Sequence, residues 1–212
     1  MLMGGKPEKL FADRLRQAVA EARDVLDIGT SQRFAKELRP YESLFAGKNY
    51  IAAGFQPAMA HGEYNCDRHE DIQAMTFPES SFDAVLCIEV LEHVADPFAA
   101  ARELHRVLRT GGFLFLTTPF LAQYHGKGRD SYTPDHELYP DFWRFTHQGL
   151  ERLFSEFHRL EVQPLDGPIE FRLKQFYLTP LLAWPPVRNL VDRVDRPRLG
   201  KATTRHLVLG VK

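Results

Sequence analysis

Two histidines, His93 and His125, each follow a predicted strand, at the edge where an α/β sheet binds its ligands. A neutral imidazole titrates near physiological pH, so either side chain could accept a proton from a reacting hydroxyl. His125 lies on the loop after the later of the two strands and is our leading candidate for this base. The alternatives are that His93 only packs in its Leu-Glu-His-Val turn and that His125 is a solvated loop residue.

A further set of polar residues ends the first predicted strand, in the sequence Asp27-Ile28-Gly29-Thr30-Ser31. Gly29 permits a tight turn and a close approach of backbone to ligand, and Asp27 brings a carboxylate to the strand end. Thr30 and Ser31 would present hydroxyls and the amides of a helix N-terminus. An ordinary strand-to-helix turn is the alternative interpretation of the same residues.

Strands and helices alternate along the chain, and this alternation must position those residues. Short apolar runs predict strands over 24–28, 49–53, 82–88, 113–117, 160–165 and 206–211. Helical spacing predicts an N-terminal helix within 1–22, a short helix between Ser31 and Pro40, a helix from Pro97 to Arg109 and one after Thr146. Repeated βαβ units build a mostly parallel sheet with helices on both faces. We therefore predict a doubly wound α/β fold, as a single domain over 1–212.

Composition and charge exclude several classes of protein. Twenty-seven Lys and Arg oppose 28 Asp and Glu, for a formal charge of −1, so no general attraction to nucleic acid or anionic lipid is expected. The two cysteines, Cys66 and Cys87, argue against a disulfide framework. Residues 1–15 hold no apolar stretch of signal-peptide length, and the apolar region 176–187 is too short and too Pro-rich for a bilayer span. We expect a cytoplasmic protein without a transmembrane segment.

Four motifs, in the correct order, resemble those of the class I S-adenosylmethionine-dependent methyltransferases, in particular the broad type 11-like group that acts on small molecules and sugars. They are Val25 to Gly29, Asp67 with the Ile72 and Phe77-Pro78 that follow it, Ser81 to Cys87 with Val90 to Val94, and Leu104 to Gly112. The resemblance covers about residues 25–165, with 206–212 as a final strand. It implies a Rossmann-like sheet of seven strands whose last strand is antiparallel.

The resemblance also implies a cofactor, S-adenosyl-L-methionine, with S-adenosyl-L-homocysteine as its product. It places Asp67 in the acidic loop after the third strand, where a carboxylate meets adenine. The implied cofactor-binding residues are Asp27, Gly29, Thr30, Ser31, Gly54, Phe55, Asp67, Arg68, Cys87 and Ile88. The implied reaction is methyl transfer to a small-molecule or sugar-containing acceptor, at oxygen, with His125 or His93 as the base.

Two departures from the family pattern concern the cofactor site. Gly29 is followed by Thr30-Ser31-Gln32-Arg33 instead of further glycines, and Gly54 stands where an acidic residue normally binds the ribose hydroxyls. Loss of a charge-assisted hydrogen bond costs about 1.5–3 kcal/mol. A methyltransferase-like protein with a degenerate cofactor site, acting as an interaction or regulatory subunit, is therefore the alternative function. A nicotinamide-dependent oxidoreductase is disfavoured because no Gly-x-Gly-x-x-Gly follows the first strand.

A long polar and aromatic loop over 119–145 is predicted to act as a lid. His125-Gly126 and the segment 141–146 within it resemble a pattern of methyltransferases from glycan and polysaccharide biosynthesis clusters. Tyr124, Trp143 and Arg144 are the predicted acceptor-binding residues, although Trp143 and Arg144 have the alternative of anchoring the next helix. Asp135-His136-Glu137 are adjacent and cannot converge on one ion, so we predict no metal site there and assign no metal ligand.

The segment 167–203 is predicted to be an insertion before the last strand. Its apolar residues, within 171–191, have three alternatives: they line an acceptor pocket, contact a membrane surface, or pack in a core or a homodimer interface. We favour core or dimer packing and expect a homodimer through this segment.

Overall fold

The computed structural model describes residues 6–35, 37–55, 66–125, 140–195 and 203–212, which contain one seven-stranded sheet. The strands are β1 Asp24–Ile28, β2 Asn49–Gly54, β3 Arg68–His69, β4 Phe82–Ile88, β5 Leu108–Pro119, β6 Arg159–Pro164 and β7 Arg205–Val211. Their order across the sheet is β3-β2-β1-β4-β5-β7-β6. The first five strands run parallel, and β7 pairs antiparallel with both β5 and β6.

The described residues form five α-helices between or before these strands: α1 Lys6–Val19, α2 Pro97–Val107, α3 His147–Leu153, α4 Pro168–Gln175 and α5 Pro185–Val194. Short 3-10 helices span Arg39–Phe45, Leu91–His93 and Thr179–Ala183. The caps explain where two of the helices begin. The Asp96 carboxylate accepts from the backbone N–H of Phe98 and Ala99 before α2, and the Thr146 hydroxyl accepts from that of Gly149 at the start of α3.

The two faces of the sheet are covered by different helices. Side chains alternate along β4, so that Val85 and Cys87 belong to one apolar cluster and Ala84 and Leu86 to the other. The first cluster contains the apolar residues of α2 and α3, whereas the second contains those of α1. The doubly wound sheet with helices on both faces is therefore confirmed.

Most predicted elements form, and the differences occur at turns. β1 and β4 have the predicted bounds, while β5 begins five residues early because Leu108 already pairs with Phe82. The helix predicted between Ser31 and Pro40 is wrong. Residues 31–35 form a bend, a bridge and turns, and the 3-10 helix begins only at Arg39. The two-residue strand β3 was not predicted.

The C-terminal segment 167–195 is helical, and it exposes large apolar side chains. Phe176 is 72% and Trp184 61% exposed, so a core role for these two side chains is wrong. Leu182 and Val191 are buried. No helix among the described residues is long and apolar enough to span a membrane.

Candidate functional site

The carboxyl ends of the five parallel strands define one edge of the sheet, where open α/β proteins bind ligands. The segments that leave this edge begin at Gly29 after β1, Phe55 after β2, Glu70 after β3, Glu89 after β4 and Phe120 after β5. The candidate ligand-binding and catalytic residues, which follow these strands in the sequence, therefore lie at the same edge of the sheet.

The turn after β1 is tight, as predicted, but its amides are used within the fold. Gly29 has φ +86°, and its N–H and that of Thr30 both donate to the carbonyl of Ala53, at 2.7 and 3.1 Å. A Cβ on Gly29 would lie 2.4 Å from Val90, so glycine is required here for packing as well as for conformation. The Thr30 hydroxyl donates to Gln32. The expectation of free helix N-terminal amides at Thr30 and Ser31 is thus wrong, because no helix starts there.

Aromatic packing explains why a loop replaces the predicted helix. Phe34 stacks on Tyr50 at 4.5 Å and contacts Phe45, and the Arg33 guanidinium lies over the Tyr50 ring. Phe34 takes a left-handed φ of +51° to reach this position, so packing of its ring overrides local helix propensity.

The same loop decides what position 54 can hold. A Cβ on Gly54 would lie 2.4 Å from the carbonyl oxygen of Thr30. An acidic side chain at this position would therefore collide with backbone, and the loop after β1 makes glycine necessary. Phe55, the next residue, is 51% exposed at the carboxyl end of β2, so it is not a core aromatic and its ring is open to a ligand.

Asp27 is buried beneath the edge. Its Oδ2 accepts from the Tyr50 hydroxyl at 2.5 Å, on the face of the sheet that α1 covers. Burial raises the pKa of Asp27 to about 7, and the hydrogen bond from Tyr50 partly opposes that shift. The pKa of Tyr50 is raised by burial and by the neighbouring carboxyl. Asp27 thus links the end of β1 to β2 through its hydrogen bond with Tyr50.

The prediction that Asp67 follows the third strand is wrong, because Asp67 precedes β3. Its Oδ2 accepts from the backbone N–H of Ala52 at 2.8 Å and from Arg33 at 2.5 Å. Arg68 is likewise engaged, since its guanidinium covers the Phe77 ring and pairs with Glu70 at 3.2 Å.

The acidic loop that leaves the carboxyl end of β3 begins with Glu70 and Asp71. Glu70 is buried and accepts from the Thr76 amide and hydroxyl. Asp71 is half-buried, and its carboxylate accepts from the backbone N–H of Gln73 at 2.9 Å and from the side-chain amide of the same residue at 3.1 Å. Asp71 therefore stands where the resemblance expects the adenine-binding carboxylate. The acidic pair Glu70-Asp71, directly before Ile72, is the sequence feature that marks this loop.

The edge of β4 contributes its residues unequally. Cys87 is fully buried in the core, and burial raises its thiol pKa, so its side chain does not reach the edge and the predicted cofactor contact is wrong for this side chain. Ile88 is half-buried at the last position of the strand. Glu89 follows in a left-handed conformation, φ +53°, which a glutamate adopts only where surrounding structure enforces it.

His93 follows β4 and His125 follows β5, and the structure brings the two side chains together. Their rings lie edge to face with centroids 5.0 Å apart. A buried carboxylate, Glu92, joins them: its Oε1 lies 3.6 Å from Nε2 of His93 and 3.8 Å from Nε2 of His125. Glu92 was not among the site residues predicted from the sequence. Burial raises its pKa, the charge of Glu89 raises it further, and burial lowers the pKa of His93.

His125 is held by a scaffold that Asp141 and Arg144 build. The backbone N–H of His125 donates to Asp141 Oδ2 at 2.9 Å, and two guanidinium nitrogens of Arg144 donate to the two oxygens of Asp141. The same guanidinium donates to the carbonyls of Ala122, Gln123 and Trp143. These contacts use the five N–H donors of Arg144. Arg144 therefore anchors the loop that carries His125, rather than the next helix, and its donors are engaged within the protein.

The two predicted aromatic acceptor contacts lie at the same edge. The Trp143 indole N–H donates to the Val94 carbonyl at 2.7 Å, while part of the ring stays exposed. Tyr124 is exposed beside His125 in sequence. Gly126 and the segment 126–139 of the predicted lid, including Asp135, His136 and Glu137, lie outside the described residues.

Comparison with known sequences identifies a domain within the chain. Residues 26–116 match the family described as methyltransferase domain. A ubiquinone biosynthesis O-methyltransferase of Xanthomonas oryzae pv. oryzae is 48% identical over 56 residues, 26% of this chain and 23% of that protein. A probable S-adenosylmethionine-dependent methyltransferase of Mycobacterium tuberculosis is 32% identical over 115 residues, 52% of this chain and 40% of that protein. The chain thus spans less than half the length of the curated relatives it matches.

Among solved structures, an S-adenosylmethionine-dependent methyltransferase from Mesorhizobium loti superimposes with a TM-score of 0.58 at 16% identity, over 97% of this chain and 98% of that one. At this identity the superposition establishes the fold.

Proposed function

We propose that this chain, whose residues 26–116 match the methyltransferase-domain family and whose fold is similar to that of a solved S-adenosylmethionine-dependent methyltransferase, transfers a methyl group to a hydroxyl of a small-molecule or glycan-linked acceptor. One observation carries the proposal. A group able to accept a proton, His125 with His93, lies at the same edge of the sheet as the turn at Gly29 and the residues that follow β2 and β3.

The residues present fit the adenosyl part of S-adenosylmethionine on one side of the edge. Phe55 offers an open ring for stacking, and Asp71 offers a carboxylate to an amino group. Position 54 offers no carboxylate to the ribose, because Thr30 occupies that space. We propose Phe55, Asp71 and the backbone at Gly29 as the cofactor contacts. The adenine contact, which the sequence had assigned to Asp67, is assigned to Asp71. When bound, S-adenosylmethionine supplies an electrophilic methyl group on a positively charged sulfur.

The other side of the edge is suited to hold and deprotonate an acceptor. The side chain of His125 is 42% exposed and that of His93 is 9% exposed, so His125 is the more accessible base. The scaffold of Asp141 and Arg144 orients His125, and Trp143 and Tyr124 line the approach with aromatic surface. These groups would align an acceptor hydroxyl and receive its proton.

The likeness to an O-methyltransferase supports oxygen as the acceptor atom, and the resemblance to glycan-cluster methyltransferases supports a sugar-containing acceptor. We also propose a cytoplasmic location, from the sparse cysteines, and a homodimer through the exposed apolar side chains of 171–191.

A methyltransferase-like interaction subunit is the second candidate. The observation in its favour is the loop after β1, which uses its own amides on Ala53 and fills the space beside Gly54. Such a subunit would keep the sheet and the family motifs while it binds the cofactor weakly or not at all.

Calorimetric titration with S-adenosylmethionine and, separately, with S-adenosylhomocysteine separates the two candidates. Micromolar binding of both, about −8 kcal/mol, is expected for the enzyme. Methyl transfer from cofactor labelled on the methyl group to hydroxylated acceptors would then identify the substrate. Failure of both ligands to bind at millimolar concentration would refute the proposed enzyme and favour the subunit.

A further inference from the structure

Three side chains meet at the carboxyl edge between β4 and β5. Glu92 and His93 lie on the 3-10 helix after β4, and His125 lies on the loop after β5. The two strands are parallel neighbours, with Ile88 opposite Thr117, so the segments that follow them leave the sheet side by side. A carboxylate oxygen and an imidazole nitrogen from each histidine all lie within 4.8 Å of one another.

The distances in this group exceed those of hydrogen bonds and suit a shared cation. Oε1 of Glu92 lies 3.6 and 3.8 Å from the two Nε2 atoms, whereas N–H···O bonds span about 2.7–3.2 Å. Two ligand atoms that each lie about 2.1 Å from a tetrahedral Zn²⁺ are about 3.4 Å apart. Small side-chain rotations would therefore bring all three atoms to coordination distance.

Glu92 gives an independent sign that a cation belongs here. The residue is fully buried, and its Oε1 has no hydrogen-bond partner among the described residues. Its other oxygen, Oε2, accepts from the Thr118 hydroxyl at 3.3 Å. A buried carboxylate oxygen without a donor is destabilising, and proteins rarely retain one unless it has a function. This oxygen points toward the two imidazoles.

Hydrogen bonds to the far side of each imidazole orient both rings for coordination. Nδ1 of His93 lies 2.5 Å from the Pro140 carbonyl, and Nδ1 of His125 lies 3.2 Å from the Gln123 carbonyl. A carbonyl can only accept, so Nδ1 carries the proton in each ring and Nε2 keeps its lone pair. Asp141 Oδ2, 3.5 Å from Nδ1 of His125, adds the carboxylate that often supports a metal-bound histidine.

We propose that Glu92, His93 and His125 bind a divalent transition-metal ion. Two imidazoles and one carboxylate favour Zn²⁺, Co²⁺ or Fe²⁺, whereas Mg²⁺ prefers oxygen ligands. Three protein ligands leave at least one coordination position open, as in catalytic metal sites. The acceptor oxygen would bind at this open position, in place of a histidine acting alone as base; this part of the proposal rests on the proposed function. Binding of the ion does not rest on it.

The test is a Co²⁺ titration of the full chain, prepared without a polyhistidine tag and stripped with a chelator. Visible d–d absorption reports coordination, and calorimetry with Zn²⁺ gives the stoichiometry. The variants are Glu92→Gln and His125→Gln. Because the His125 side chain is partly exposed, His125→Gln keeps the test valid if Glu92→Gln does not fold. His158→Gln, at an exposed histidine away from the group, is the matched control.

We expect one ion per chain, loss of affinity by more than about 100-fold in both ligand variants, and no change in His158→Gln, since even outer partners of a ligand contribute about 10- to 100-fold. Asp141→Asn should lower the metal affinity by about 10- to 100-fold. Equal affinity of His125→Gln and the unaltered chain, no absorption at millimolar Co²⁺, or binding of Mg²⁺ alone would overturn the proposal. Titration of S-adenosylmethionine without metal tests the proposed function separately, so either failure is distinguishable from the other.

Discussion

Replacing Asp71 and Asp67 one at a time by alanine tests which carboxylate serves the cofactor. Asp71 follows the carboxyl end of β3, and within the part of the chain that the structure describes its carboxylate accepts only from Gln73, in the same turn. Loss of a hydrogen bond between this carboxylate and the adenine amino group removes about 1.5–3 kcal/mol, a decrease in cofactor affinity of about 10- to 100-fold. Asp71→Asn keeps an acceptor oxygen but not the charge, so its cofactor affinity should lie between that of the unaltered chain and that of Asp71→Ala.

Asp67→Ala should act on stability instead. It removes the acceptor of the Ala52 N–H and the partner of Arg33. An unsatisfied backbone N–H costs about 1–3 kcal/mol, and a half-exposed ion pair adds at most about 1 kcal/mol. We therefore expect the free energy of unfolding to fall by about 2 kcal/mol, with the dissociation constant unchanged.

The two measurements are urea unfolding and calorimetric titration with S-adenosylhomocysteine, at a temperature where both variants are folded. The assignment of Asp71 to the adenine amino group is refuted if Asp67→Ala weakens cofactor binding as much as Asp71→Ala does, or more. It is also refuted if the original chain binds the cofactor and Asp71→Ala binds it with the same affinity.

Three further perturbations test other parts of the structure. Burial lowers the pKa of His206 to about 4, so as the pH falls the unfolded chain binds a proton before the folded chain does. The free energy of unfolding should therefore decrease between pH 6.5 and 4, by up to about 3 kcal/mol. Urea unfolding should show no such decrease in His206→Gln. Gly29→Ala should lower the unfolding midpoint because its Cβ would lie 2.4 Å from Val90, and Val90→Ala in the same chain should restore part of the loss; no restoration would contradict the packing argument. Trp184→Ser should shift sedimentation toward monomer if the exposed apolar segment forms a dimer, and unchanged sedimentation would count against that interface.

The sequence predicted the order of the elements because each carries a strong local signal. Apolar runs of five and seven residues gave β1 and β4 with their observed bounds, and the Asp96-Pro97 cap gave the start of α2. The β3 strand has two residues, Arg68 and His69, and both are exposed, so it has no hydrophobic pattern from which it could be predicted. That omission displaced the acidic loop and led to Asp67 instead of Asp71.

Long-range packing decided the loop after β1. Local spacing favours a helix through Phe34, yet the Phe34 ring stacks on Tyr50, in a strand that begins 15 residues later. No local pattern reports that contact. The loop that results places the Thr30 carbonyl in the space that a side chain at position 54 would need, which accounts for glycine in place of the acidic residue.

The sequence by itself determined the fold class and the edge of the sheet at which the proposed site lies, because the carboxyl ends of parallel strands share one edge wherever the strands fall in the chain. It placed His93 and His125 there. Only the tertiary structure decided that buried Glu92 faces both imidazoles and that Arg144 holds their scaffold. Those relations depend on side-chain directions across segments 32 residues apart, from His93 to His125, and are fixed by packing that sequence spacing does not encode.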